Sequence, residues 1–232
     1  MNKKLLILGD GKLGFELHAQ MNWDYISRKM DGIDFNDIST YCNELEDYDI
    51  IVNCIAYTKT YDENKENHWN TNFKAVMDLV DFCNLKNKKI IHISTDYVYS
   101  GSESNATENN VPVHCANWYS YTKLLADGYI QARSENYLLI RTSFKPWPWP
   151  YDNAINTQVG NFDYIHKIAN LIAQLITKDA SGVFNVGTET KTIWYLAQQS
   201  KPDVIMSNKI LHETMPTDVS MDITKMTNFL NS

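Results

Sequence analysis

One short stretch narrows the possible folds more than any other. Residues 4–8 form an apolar run that meets Gly9-Asp10-Gly11-Lys12-Leu13-Gly14 at once, and Phe15, Leu17, His18 and Met21 continue at near-helical spacing. A strand, a glycine turn and a helix in that order make the G-x-G-x-x-G pattern, whose glycines allow a sharp turn and close backbone approach to a ligand. The helix that follows offers N–H groups without intrahelical partners, and these suit a pyrophosphate. A plain glycine-rich turn would look the same residue by residue. The strand–turn–helix context favours a dinucleotide site on Gly9, Gly11, Lys12, Leu13 and Gly14.

The alternation continues down the chain. Asp24 to Ser27 reads as a second strand, ending at Arg28 and Lys29. An acidic residue at this place grips the ribose of NAD, whereas a basic one suits the 2′-phosphate of NADP, so Arg28 points to NADPH over NADH; a solvated Arg-Lys pair is the bland reading. Residues 49–56 read as a buried strand running into a small-residue loop, and 65–86 as a helix with Trp69, Phe73, Val76, Met77 and Val80 as its core-facing stripe. Residues 88–93 read as a strand, 100–118 (with Pro112) as a polar loop, 119–133 as a helix and 137–140 as a strand. Strands and helices alternating at this pitch predict an α/β, Rossmann-like, doubly wound parallel sheet.

Beyond Arg141 the pattern breaks. Lys145-Pro146-Trp147-Pro148-Trp149-Pro150 cannot form regular helix or central strand, because its alternating prolines block both. Trp147 and Trp149 fit either a wall for a sugar or base or a hydrophobic plug over the sheet, the plug being preferred. Residues 162–178 return to helical spacing, 183–186 form a short strand, and 190–232 a small mixed tail. The expected division is a dinucleotide-binding domain over 1–143, rejoined by 162–178 and 183–186, with a small α+β substrate part from 144–161 and 188–232.

The chemistry-bearing residues lie at 94–123. Ser94 and Thr95 end an apolar run, and Tyr119 and Lys123 stand four apart, on one face of a helix. A lysine ammonium beside a tyrosine favours the phenolate, and such a tyrosine can pass a proton to or from a sugar hydroxyl or ketone near neutral pH.

A net charge of −7 and a pI near 5.3 argue against nucleic acid or an anionic membrane as the main partner. The opening apolar run is too short for a signal core or a membrane span. Cys42, Cys54, Cys83 and Cys115 show neither C-x-x-C pairing nor metal-like spacing with histidine. They read as reduced thiols of a cytoplasmic protein, with no metal site expected.

These pieces together resemble a known family. Gly9 to Gly14, Asp34-Phe35, Asn53 to Thr58, Ser94 to Gly101, Tyr119-Ser120-Tyr121-Thr122-Lys123, Arg141-Thr142-Ser143 and Pro216 to Asp222 are similar, in order, to motifs of the extended short-chain dehydrogenase/reductases. Within these the resemblance is to the dTDP-4-dehydrorhamnose reductase group. The chain departs from the group at Leu8 and Ser120, where glycine is usual, and is shorter around 144–160.

The resemblance implies an NADPH-dependent reductase of a 4-keto-6-deoxy nucleotide sugar. Tyr119 would be its proton donor, Lys123 would lower the tyrosine's pKa and hold the nicotinamide ribose, and Thr95 would hydrogen-bond the carbonyl. It further implies cofactor contacts at Asp34, Phe35, Cys54, Ile55, Ala56 and Thr58, and candidate substrate contacts at Tyr97, Ser143, Trp147 and Gln158. A homodimer is one option for assembly. Two other readings stay open. One is an NAD-retaining nucleotide-sugar epimerase or dehydratase, which Asp96 beside Thr95 does not separate from a reductase. The other is a non-catalytic NADP-binding regulatory subunit, which the shortened region motivates and the intact Thr95, Tyr119 and Lys123 oppose.

Overall fold

In the computed structural model, which describes residues 3–110 and 115–232, six short apolar runs become six parallel strands of one sheet. They are β1 (Leu5–Leu8), β2 (Asp24–Ile26), β3 (Ile50–Asn53), β4 (Lys89–Thr95), β5 (Tyr137–Thr142) and β6 (Gly182–Val186). The spatial order is β2-β1-β3-β4-β5-β6. Successive side chains along a strand point to opposite faces, and both faces of the sheet's middle are covered, so its strands carry apolar residues toward both sides.

Helices α1 (Lys12–Met21), α2 (Lys65–Trp69), α3 (Ala75–Leu85), α4 (Trp118–Arg133), α5 (Ile165–Thr177), α6 (Ile193–Gln198) and α7 (Thr224–Asn231) complete the frame. Leu5, Ile7, Val52, Ile91, Ile140 and Phe184 face Leu17 of α1, Ile168 and Ile172 of α5 and Met226 of α7. Their neighbours Leu6, Leu8, Ile51, Ile90 and Leu139 face Val76, Leu79 and Val80 of α3 and Ala126 and Ile130 of α4. Full burial of each such side chain is worth roughly 1.5–3 kcal/mol relative to exposure, which makes this layered sheet a rigid base.

The chain steps outward from β1 to β2, then returns past β1 to β3 and continues the other way. In open parallel sheets the crevice beyond the carboxyl ends of strands where this reversal occurs is where ligands bind. Here it lies between the turn after β1 and the loop after β3.

Two expectations need adjustment. The helix over 65–86 is interrupted by a π turn at Asn70–Lys74. The turn aims buried Asn72 at the loop after β3, where its Oδ1 accepts from the Tyr57 N–H (2.7 Å) and its Nδ2 donates to the Tyr57 carbonyl (3.1 Å). Trp69 is not core: it is 41% exposed and meets Phe73 edge-on, while Val76 and Val80 carry the buried stripe. The part of the polar loop at 111–114, Pro112 included, lies outside the described residues.

Residues 144–164 are not structureless. Phe144–Lys145 pairs with Asp163–Tyr164, Asn153–Ile155 with Ile205–Ser207, and Val159–Gly160 with both Lys191–Thr192 and Asp218–Val219. Trp149 plugs the small core of this part, with Phe162, Tyr164 and Leu196. Trp147 stays half outside, edge-on to Tyr164 and His166.

Candidate active site

Gly9 is glycine because of its backbone conformation, and Gly14 because the fold leaves no room for more. Gly9 turns the chain at φ +96°, and a Cβ there would stand 2.5 Å from Ile55 Cδ1. A Cβ on Gly14 would run into the Gly9 carbonyl oxygen, so α1 can sit this close to the turn only with bare backbone. Gly11 is different: a Cβ there would meet nothing within 4 Å. It precedes α1 without any side-chain cap, which leaves the first N–H groups of the helix to a ligand. The room and the polarity at Gly11 fit a pyrophosphate.

Two cavities meet at this turn. The smaller, about 230 Å³, is lined by Gly9, Gly11, Arg28, Asp34, Phe35 and the Cys54–Tyr57 loop. The larger, about 410 Å³, has Gly11, Lys12, Leu13, Cys54, Ala56 and Thr58 on one side and Thr95, Tyr119, Lys123 and Ser143 on the other. Gly11, Cys54 and Ala56 line both. The residues predicted for a cofactor therefore converge on one continuous crevice, with Gly14 packed behind it. Arg28 and Asp34 are both exposed at its far end.

Each reactive side chain is placed by local structure. Thr95 ends β4, and its hydroxyl accepts from the Tyr97 N–H (3.2 Å) and donates to Asp96 Oδ1 (3.2 Å). Asn117 caps α4, its Oδ1 accepting from the Ser120 N–H at 2.9 Å. Tyr119 and Lys123 follow one turn apart and line the same cavity as Thr95. Lys123 is buried; its Nζ donates to the Ile93 carbonyl (2.6 Å) and lies 3.0 Å from His92 Nε2.

Burial dominates the electrostatics. It pushes the Tyr119 phenol up to about 12, with the Thr95 hydroxyl pulling back and the Asp96 and Asp127 carboxyls adding to the rise. The expected lowering by Lys123 is therefore not the state of the protein alone. Burial brings the Lys123 ammonium down to about 8, against the pull of Asp127. Desolvation likewise raises Asp96 to about 7, against the attraction of Lys145, and Asp96 Oδ2 is buried without a hydrogen-bond partner. Burial, then the Lys123 charge, holds His92 well below the ordinary imidazole value.

The candidate substrate residues divide. Ser143 lines the larger cavity. The Tyr97 hydroxyl lies 3.1 Å from that of Tyr61 and accepts from Gln158 Nε2 at 2.9 Å, and Gln158 also donates to the Pro216 carbonyl (2.9 Å). The Tyr97 ring lies edge-on to Tyr119, 6.4 Å between centroids. Tyr97, Gln158 and Trp147 line neither cavity. Four residues near the site were missed: Tyr61, His212 stacked on it (4.7 Å, 11°), His92 and Lys145. They come from separate segments, and no local spacing signals them. Among the described residues no group of three or more His, Cys, Asp or Glu side chains could hold a metal ion.

The chain is similar to known proteins in sequence and in fold. Residues 3–147 match the family model described as RmlD substrate binding domain. The probable low-salt glycan biosynthesis reductase Agl14 of Haloferax volcanii is 28% identical over 116 residues, 48% of this chain; the match spans 39% of that protein's length. A hypothetical dTDP-4-dehydrorhamnose reductase from Sulfolobus tokodaii superposes with a TM-score of 0.80 at 23% identity, over 97% of this chain and 94% of that one. The dTDP-4-dehydrorhamnose reductase of Bacillus anthracis, solved in complex with NADP, gives 0.82 at 20% identity, over 98% and 93%. At these identities the two structures establish the shared fold.

Proposed function

The chain belongs to the family described by the RmlD substrate binding domain, and we propose that it is a sugar-nucleotide reductase using NADPH on the 4-keto group of a nucleoside-diphosphate-linked 6-deoxy sugar. The observation that carries this reading is the single cavity in which Thr95, Tyr119 and Lys123 face the uncapped Gly11–Leu13 turn. When bound, NADPH supplies the hydride. The N–H groups at the start of α1 hold its pyrophosphate, and Arg28 at the far end of the crevice takes the 2′-phosphate.

On the substrate side, Thr95 and Tyr119 hold the sugar carbonyl oxygen. As that oxygen becomes an alkoxide, Tyr119 gives it a proton. Burial keeps the Tyr119 phenol protonated at neutral pH, so the proton that the alkoxide takes is already in place. Tyr97 and Gln158 form the neighbouring wall on the sugar side, and Ser143 lines the floor. No helix among the described residues is long and apolar enough to cross a membrane, and we place the work of this protein in the cytoplasm, in the making of surface sugars.

The test is NADPH oxidation with dTDP-, UDP- and GDP-linked 4-keto-6-deoxy sugars. One of them should drive turnover, and Tyr119→Phe should lower kcat by roughly 10²–10⁴-fold while NADPH binding persists. Absence of turnover with all three nucleotides would return the protein to the non-catalytic, dinucleotide-binding reading.

A further inference from the structure

His92 has no part in the chemistry above, yet it is wholly buried beside it. Asn53, His92 and Lys123 form a line: Asn53 Nδ2 lies 3.2 Å from His92 Nδ1, and His92 Nε2 lies 3.0 Å from Lys123 Nζ. All three side chains are buried, so each proton in the line needs a defined place. The backbone orients the first member. Asn53 Oδ1 accepts from the Ile55 N–H at 3.0 Å, which turns Nδ2 toward the ring.

A donor facing Nδ1 makes Nδ1 an acceptor, so the neutral ring carries its one proton on Nε2. That proton points at the Lys123 nitrogen. Two facing N–H groups repel, and the 3.0 Å contact becomes a hydrogen bond only when Lys123 offers a lone pair. The amine can still donate to the Ile93 carbonyl, 2.6 Å away. Turning the Asn53 amide over would let Lys123 remain charged, at the cost of leaving the Ile55 N–H without its acceptor.

We propose that His92 is a positioning residue that stabilises Lys123 as a neutral amine, through an Nε2–H tautomer held in place by Asn53. The inference rests on the reading of Tyr119 and Lys123 as the proton-handling pair. In that reaction Tyr119 gives its proton to the sugar oxygen, and the phenolate left behind must take one up. An ammonium whose amine form is stabilised gives up a proton more readily than a fixed cation does, and the amine is then recharged from solvent. The other groups around Lys123 are Tyr119 and Asp127 on α4 and Cys54 after β3. Asp127 favours the ammonium, but Arg141 of β5 already engages its carboxylate at 3.0 Å.

Asn53→Asp tests the link. It keeps the volume and the acceptor for the Ile55 N–H, and puts a carboxylate oxygen against Nδ1. The ring proton should move to Nδ1, freeing Nε2 to accept from a Lys123 ammonium. The full chain, labelled with ¹⁵N-histidine and ¹³C-lysine, is followed by NMR without substrate, with His92→Gln and Lys123→Met assigning the signals. The wild type should show His92 as Nε2–H throughout the neutral range. In Asn53→Asp the tautomer should reverse, and the Lys123 Cε titration should move up by about one pH unit, a tenfold change in proton affinity. An Nδ1–H ring in the wild type overturns the proposal, as does a Lys123 midpoint that stays put while the tautomer reverses. Neither readout uses a sugar nucleotide, so a failed turnover screen removes the reductase reading and leaves this result standing.

Discussion

Two glycines three residues apart should answer very differently to the same methyl group. At Gly14 a Cβ enters the Gly9 carbonyl oxygen and crowds Ile7 Cγ2 at 3.3 Å. Neither can retreat, since Ile7 is fully buried and Gly9 is pinned by its N–H to the Ile26 carbonyl (2.9 Å). Gly→Ala inside a helix normally gains about 0.8–1 kcal/mol. Overpacking against backbone costs about 1–3 kcal/mol, and more where an element must shift. Because the clash is with backbone, the cost takes the upper end, about 3 kcal/mol. A net loss of roughly 2 kcal/mol follows for Gly14→Ala, and at roughly 2–4 °C per kcal/mol for a chain of this size the melting point should fall by about 4–8 °C.

Gly11→Ala meets no atom within 4 Å, and Gly11 has φ −61°, which alanine adopts freely. About 0.5–1 kcal/mol lost at the helix cap is offset by about 0.4–1 kcal/mol from a stiffer unfolded chain, so its melting point should stay within about 3 °C of wild type. The methyl nevertheless occupies the space at the head of α1, and NADPH should bind roughly 10–100-fold more weakly, about 1.4–2.7 kcal/mol. Far-UV circular dichroism melts and NADPH fluorescence titration measure the two effects separately. Wild-type NADPH affinity in Gly11→Ala would show that no pyrophosphate lies on this turn. A near-normal melt of Gly14→Ala would show that α1 does not pack as described.

Two further outcomes follow from the crevice. Arg28→Ala should weaken NADPH by roughly 10-fold or more, as expected for a lost charge-assisted contact, while NADH affinity barely changes; equal losses by fluorescence titration would take the 2′-phosphate away from Arg28. Asp96, raised by burial from 3.8 to about 7, holds its proton more tightly in the folded than in the unfolded protein. Its stabilising contribution is complete below about pH 4 and is lost as pH rises to about 7, up to about 4 kcal/mol in all. Asp96→Asn should therefore melt above wild type at pH 8 and lose that advantage at pH 4.5. A variant that melts below wild type at pH 8 would mean that Asp96 is ionised without penalty.

The sheet was legible because its information is local. Leu5–Leu8, Ile50–Asn53, Lys89–Thr95 and Tyr137–Thr142 are apolar on both faces, and a strand covered by helices on both sides must be so. The ends of helices were less legible. Asn117, which starts α4 one residue before Trp118, is only one of several Asn and Ser in the preceding polar stretch. The π turn at Asn70–Lys74 left no mark in the spacing of Phe73, Val76 and Val80, and the bonds that Asn72 makes from it to the Tyr57 backbone join segments fifteen residues apart. Trp69 shows the converse: it fits the stripe on paper, but the shift introduced by the π turn leaves it half in water.

The site divides along the same line. Gly9 to Gly14 and Tyr119 with Lys123 are short-range patterns, and one turn of chain carries each. The Tyr97, Tyr61, Gln158 and His212 wall draws on four segments up to 151 positions apart (212 − 61), joined only by folding. The direction of the Tyr119 shift was hidden for a further reason. From spacing alone Lys123 should ease ionisation of the phenol, but in the fold the Lys123 nitrogen is turned to His92 and the Ile93 carbonyl. Desolvation then outweighs every nearby charge, and the phenol keeps its proton. The protonation state of Tyr119 is thus set by packing around the pair, which the spacing of Tyr and Lys does not encode.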